Sequence, residues 1–142
     1  MNLKKLLLLP LMALLLLPTG CRKEYITYGS QVRSHTYTVK ANQWMQPAGE
    51  NYYVSRWENA DITREVMENG AVEAYVFNND TWHGMPYVYP YYSAEYDMTV
   101  AENYRFEYSE GHVYFILEDL DGVLPEGIEY LPDVQFKVSV IY

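Results

Sequence analysis

The sequence predicts a mostly β chain: one antiparallel β-sandwich with a single short helix, a small β-barrel being the alternative. Three observations predict it. Segment after segment alternates apolar and polar residues with a period of two, the mark of half-buried strands. All 16 Tyr lie beyond residue 20, where Lys is scarce (Lys23, Lys40, Lys137), and that balance favours strands. No helical pattern is long enough to cross over a parallel sheet, so strands are expected to pair antiparallel and bury alternate residues between two sheets.

The N-terminus reads differently from the rest. Lys4 and Lys5 precede an apolar run from Leu6 to Leu17, followed by Pro18, Thr19, Gly20 and Cys21. A basic start, a short apolar run and a small residue before the cut make a secretory signal peptide over residues 1–20. The run falls short of the roughly 20 apolar residues a membrane-spanning helix needs. Leu17-Pro18-Thr19-Gly20-Cys21 resembles the lipobox of bacterial lipoproteins, with Gly20 and Cys21 fitting well and Pro18 and Thr19 loosely. That resemblance implies cleavage before Cys21 and attachment of lipid to its sulfur. Cys21 is the one cysteine of the chain, so no intramolecular disulfide is possible. Residues 21–31 read as a lipidated tether, in which Tyr25, Ile26 and Tyr28 could already join a sheet, and residues 32–142 as a single domain.

In His35–Lys40, Tyr37 and Val39 share a face. Asn51–Glu58 places Tyr53 and Trp57 together. Asp61–Gly70 is the one helical stretch, with Asp61 or Thr63 as cap, Ile62 and Val66 toward the core, and Gly70 as a left-handed stop. Ala71–Phe77 returns to strand with Val72, Ala74 and Val76 inward, and Asn78-Asn79-Asp80 is turn chemistry. Thr81–Tyr92 is broken by Gly84, Pro86 and Pro90, which predicts an edge strand or a loop. Tyr104, Phe106 and Tyr108, then Ser109-Glu110-Gly111, then Val113, Phe115 and Leu117 spell a β-hairpin. A loop rich in Gly, Pro and acid spans Asp119 to Asp133. The last strand turns Val134, Phe136, Val138 and Val140 to one side.

The run Ile62-Thr-Arg-Glu-Val-Met-Glu-Asn-Gly-Ala-Val-Glu-Ala-Tyr75 resembles a stretch in small membrane lipoproteins of Bacteroidetes-type bacteria. Trp82 followed by Met85-Pro86-Tyr87 is similar to their Trp then Leu-Pro-Tyr segment, with Met85 in place of Leu. Phe136-Lys137-Val138 through Ile141 resembles their C-terminal strand. The resemblance covers about Asn51 to Tyr142 and rests on structural motifs. It implies an envelope address and no enzyme activity, and says nothing of a ligand. Some surface-exported members carry acidic residues directly after the Cys. Arg22, Lys23 and Glu24 match that poorly, so the periplasmic and cell-surface faces of the outer membrane stay open.

Without the leader, eight basic residues stand against 19 acidic ones, a net charge near −11. An acidic surface repels phosphate backbones, so nucleic acid is not an expected partner. No Ser lies in a nucleophile elbow. His35, His83 and His112 lie in separate segments without metal-ligand spacing and read as surface or turn histidines. Glu118-Asp119-Leu120-Asp121-Gly122 offers oxygens to calcium but lacks the first acid of an EF-hand loop, and reads as a solvated acidic turn. No cofactor is expected. The stronger lead is aromatic. Trp82, Tyr87, Tyr89 and Tyr91, with Tyr92 beside them, gather where the strand is broken. Rings with polar tips suit partner surfaces and flat sugar faces, or simply core packing. The reading is a non-enzymatic binding or structural module, anchored to the outer membrane by lipid on Cys21 and meeting a protein. A carbohydrate-binding module is the alternative, and a hydrolase a more distant one.

Overall fold

The structure, a computed structural model, describes residues 29, 31–94, 96–121, 131 and 133–142. The expected leader, Cys21, nearly all of the expected tether and most of the acidic loop before Asp133 lie outside the described residues. Eight strands and one helix follow in order: β1 (Val32–Val39), β2 (Tyr52–Glu58), α1 (Arg64–Asn69), β3 (Ala71–Asn78), β4 (Thr81–Gly84), β5 (Tyr87–Ser93), β6 (Met98–Ser109), β7 (His112–Asp119) and β8 (Val134–Ile141). A 3-10 turn covers Ala41–Gln43.

The strands form two four-stranded antiparallel sheets, ordered β1-β8-β3-β4 and β2-β7-β6-β5. They are called here the β8 sheet and the β7 sheet. Each keeps two edge strands, so the architecture is a sandwich and not a closed barrel. The alternation seen in the sequence decides the inner faces. Phe136, Val138 and Val140 of β8 and Val113, Phe115 and Leu117 of β7 are fully buried. Phe115 and Phe136 stack across the sandwich with ring centroids 4.1 Å apart and an interplanar angle of 8°. Truncating either ring would remove about 3–5 kcal/mol. Around this stack, Tyr37 of β1 meets Trp57 of β2 at 5.6 Å, Tyr104 of β6 meets Phe136 at 6.4 Å, and His83 of β4 lies on Tyr87 of β5 at 4.3 Å. Strand therefore faces strand in both edges and in the middle of the two layers.

Turn chemistry sets the connections. Asn79 and Asp80 both take positive φ (49° and 57°), the two-residue hairpin turn whose twist matches its flanking strands. Gly111, at φ 75°, closes the β6–β7 hairpin, where Ser109 faces His112. Between β4 and β5 the chain leaves one sheet for the other at Met85-Pro86, a cis peptide, with the Met85 amide donating to Ala74 O at 2.9 Å. The broken segment thus supplies an edge strand to each sheet. Pro90 is tolerated because β5 is an edge.

The helix is shorter than Asp61–Gly70, and Thr63 caps it: its Oγ1 accepts from the Val66 amide at 3.3 Å. Ile62 and Val66 are buried, as their spacing predicts. Gly70 is not a left-handed stop; its backbone is extended, with φ −103° and ψ −162°. Glycine is required there for another reason. A Cβ at this position would lie 2.4 Å from the Ile141 carbonyl oxygen of β8 and 3.0 Å from that of Val66.

Candidate functional site

Alternation gives each strand of a sandwich one face for the core and one for solvent. On β3, Val72, Ala74 and Val76 go inward, so Glu73, Tyr75 and Phe77 go outward. Register then sets their neighbours. Tyr75 stands between Lys137 of β8 and Gly84 of β4, and Phe77 between Gln135 and Trp82. The outer face of the β8 sheet therefore carries a connected patch of half-buried rings. Phe77 and Trp82 meet at 5.0 Å with a 55° tilt. The Lys137 ammonium lies 4.6 Å from the Tyr75 ring centroid and 4.9 Å from that of Trp82, within the range of cation–π attraction. The Tyr75 hydroxyl donates to Glu73 Oε2 at 2.7 Å, a bond that raises its pKa above the ordinary tyrosine value. Beside Tyr75, Gly84 leaves open space where a side chain would stand. An open groove of about 280 Å³ begins there, lined by Glu73, Tyr75, Gly84, Met85 and Phe106 among others.

Tyr87, Tyr89 and Tyr91 lie elsewhere. They line the inner face of β5, opposite Tyr104, Glu102 and Val100 of β6. With His83 they form a stacked ladder, with successive centroids 4.3, 6.5 and 5.8 Å apart. The three tyrosines are half-buried, and Tyr87 and Tyr89 pack on the core. Trp82 is one residue from His83, and the period of two sends it to the opposite face. The crossing at Met85-Pro86 then hands the tyrosines to the other sheet. Below the ladder, the Tyr104 hydroxyl donates to Glu102 Oε2 at 2.8 Å. Burial above all, with the Glu102 charge and this bond, pushes Tyr104 far above the ordinary tyrosine range. Tyr92 is exposed on the outer face of β5, and its hydroxyl donates to Asp97.

The histidines do not meet. His35 donates from Nε2 to Asp61 Oδ2 at 2.6 Å, His83 Nε2 faces Asn78 O at 3.2 Å, and His112 Nε2 accepts from Arg56 at 2.7 Å. No group of three His, Cys, Asp or Glu with metal-ligand geometry occurs among the described residues. In the acidic run, Glu118 is held by Arg105 at 2.6 Å and by Asn103 at 2.9 Å, and Asp121 accepts from the Ala101 amide at 2.7 Å. The Asp119 side chain lies outside the described part. No described helix is long and apolar enough to cross a membrane.

Sequence reasoning named Trp82 but missed Tyr75, Phe77 and Lys137. The signal was present: once Val72, Ala74 and Val76 are assigned to the core, the alternate residues Glu73, Tyr75 and Phe77 must be outward, and two of these three are aromatic. Lys137 needed the β3–β8 register, which no local pattern carries. Comparison of the chain with protein-family models, with curated proteins and with solved structures gave no match.

Proposed function

We propose that the chain is a lipid-anchored, non-catalytic binding module of the bacterial cell envelope, held at the outer membrane through Cys21, and that its ligand is a glycan. The observation that carries the glycan reading is the outward patch of Tyr75, Phe77 and Trp82 on the rigid β8 sheet. The apolar C–H face of a pyranose ring covers such rings, while its hydroxyls need polar groups at the border. Glu73 and Gln135 stand beside the rings, and Lys137 lies among them. A sheet fixes these groups without the ordering cost that a loop would bear on binding. The sequence alone favours a protein partner. The outward, half-buried rings and the polar groups around them support sugar as the ligand.

The lipoprotein kinship and the envelope address rest on the N-terminal pattern and on the resemblance of residues 51–142. β1 enters at the end of the sandwich that holds α1 and the β6–β7 turn, so a tether would bring that end toward the bilayer. The outer face of the β8 sheet would then stand sideways to the membrane, open to long chains. The test is a glycan array probed with the full-length protein in detergent. Wild type should be retained on a subset of glycans, and Trp82→Ala should lose about tenfold or more in affinity, in line with removal of a central aromatic anchor. Retention of the variant at wild-type strength, with its thermal melt unchanged, would remove the patch from the account. A chain that binds no glycan but crosslinks to one envelope protein would restore the protein-partner reading.

A further inference from the structure

We propose that Lys137 makes this surface selective for glycans carrying an isolated acidic sugar, such as a uronic or sialic acid residue. The inference rests on the glycan reading above and names its ligand class. Four of the six Lys and Arg among the described residues are held by carboxylates: Arg33 by Asp61, Lys40 by Asp133, Arg64 by Glu68, and Arg105 by Glu107 and Glu118. Arg56 lies against His112. Lys137 differs from all of these. Among the described residues no carboxylate pairs with it, and its ammonium rests on the Tyr75 and Trp82 rings. Glu73, the nearest acid along β3, is engaged by the Tyr75 hydroxyl. In a chain with 19 acidic residues, a cation left without an acid and fixed among outward rings is poised for an anion from outside.

The chemistry of that anion follows from its surroundings. The Lys137 ammonium lies among the rings, over Tyr75 and Trp82, so a sugar stacked on Phe77 beside Trp82 would bring a ring substituent to it. A carboxylate there gains a charge-assisted hydrogen bond on a partly desolvated cation, which is stronger than a bond between neutral groups. One cation accommodates one acid. The net charge of −9 and the nearby Glu73 repel a densely charged polyanion. The preferred ligand is therefore a largely neutral oligosaccharide with a single acidic residue.

The experiment uses full-length protein on an array holding neutral glycans, glycans with one uronic or sialic acid, and heavily sulfated polysaccharides. The singly acidic glycans should be retained best, and their carboxyl methyl esters should bind about tenfold more weakly, the loss of roughly one charge-assisted bond. Lys137→Met should erase the difference between acid and ester, Lys137→Arg should keep it, and Trp82→Ala should weaken both. Thermal melts of each variant separate lost binding from lost fold. Equal binding of acid and ester by the wild type, or a preference for the sulfated polymers, would overturn the role of Lys137 and leave the glycan reading standing. Absence of binding to every glycan would remove both.

Discussion

Asp61 joins two strands that never pair. From the loop after β2, its carboxylate accepts from Arg33 at 2.7 Å and from His35 at 2.6 Å, both on β1. Its side chain is 16% exposed, against 59% and 46% for its partners. The hydrogen bond from His35, then that from Arg33, hold the Asp61 carboxyl below the usual aspartate range. A carboxyl whose pKa is depressed on folding stabilises the fold above its unfolded value of about 3.9, and that contribution fades as pH falls through the lower folded value. Both partners are largely solvated, so the effect is at most about 1 kcal/mol. Asp61→Asn should therefore melt below wild type at neutral pH, with the gap closing near pH 2. A gap of constant size from neutral to acid would assign the loss to packing and not to charge. Gly70 makes a second residue-scale prediction. A methyl group directed at the Ile141 carbonyl forces the α1–β3 junction off β8. Gly70→Ala should cost about 1–3 kcal/mol, read as a lower denaturation midpoint at unchanged slope.

Elements were legible in the sequence to the degree that one face of each is buried. β8 lies inside its sheet, and Val134, Phe136, Val138 and Val140 announce it; the β6–β7 hairpin announces itself through alternation on both arms and Gly111 between them. Edge strands gave less. In β4 and β5 aromatic residues stand on both faces, and no rule of period two says where the chain changes sheets. Trp82 and Tyr87 thus look like neighbours in sequence and serve opposite surfaces. The Gly70 position was legible but its reason was not, because the clash involves Ile141, 71 residues away. The shortest edge strand, β4, depends on its turn. It has four residues, and it presents Trp82. Asp80 at φ 57° bears the cost of a left-handed conformation that Gly avoids. Asp80→Gly should raise the melting temperature slightly. Asp80→Val should lower stability by about 1–2 kcal/mol, since a β-branched residue fits that conformation poorly. Tryptophan fluorescence should report the loosening of Trp82 in the Val variant; identical spectra and melts for both substitutions would separate the turn from the surface it supports.

At the scale of the whole molecule, the two sheets leave four connections at one end of the sandwich. At the other end lie α1, the β6–β7 turn and both chain ends of the body, where the Gln31 N–H donates to Tyr142 O at 2.8 Å and the Gln31 carbonyl accepts from the Tyr142 N–H at 3.0 Å. This pairing fixes where the chain enters β1. Residues 21–31 can span at most about 35–40 Å when fully extended. If Cys21 carries lipid, the α1 end stays within that distance of the bilayer. Acyl chains contribute about 0.8 kcal/mol per buried methylene, so two or three chains would hold the body firmly where one would not. Cys21→Ser should therefore move the protein from the membrane pellet to the soluble fraction, abolish incorporation of a labelled fatty acid, and leave glycan affinity and melting temperature unchanged. Anchor and binding face would then be separable parts, joined only by the tether. A Cys21→Ser chain that still pellets with membranes after carbonate washing would show that the body itself, or a leader left uncut, does the anchoring.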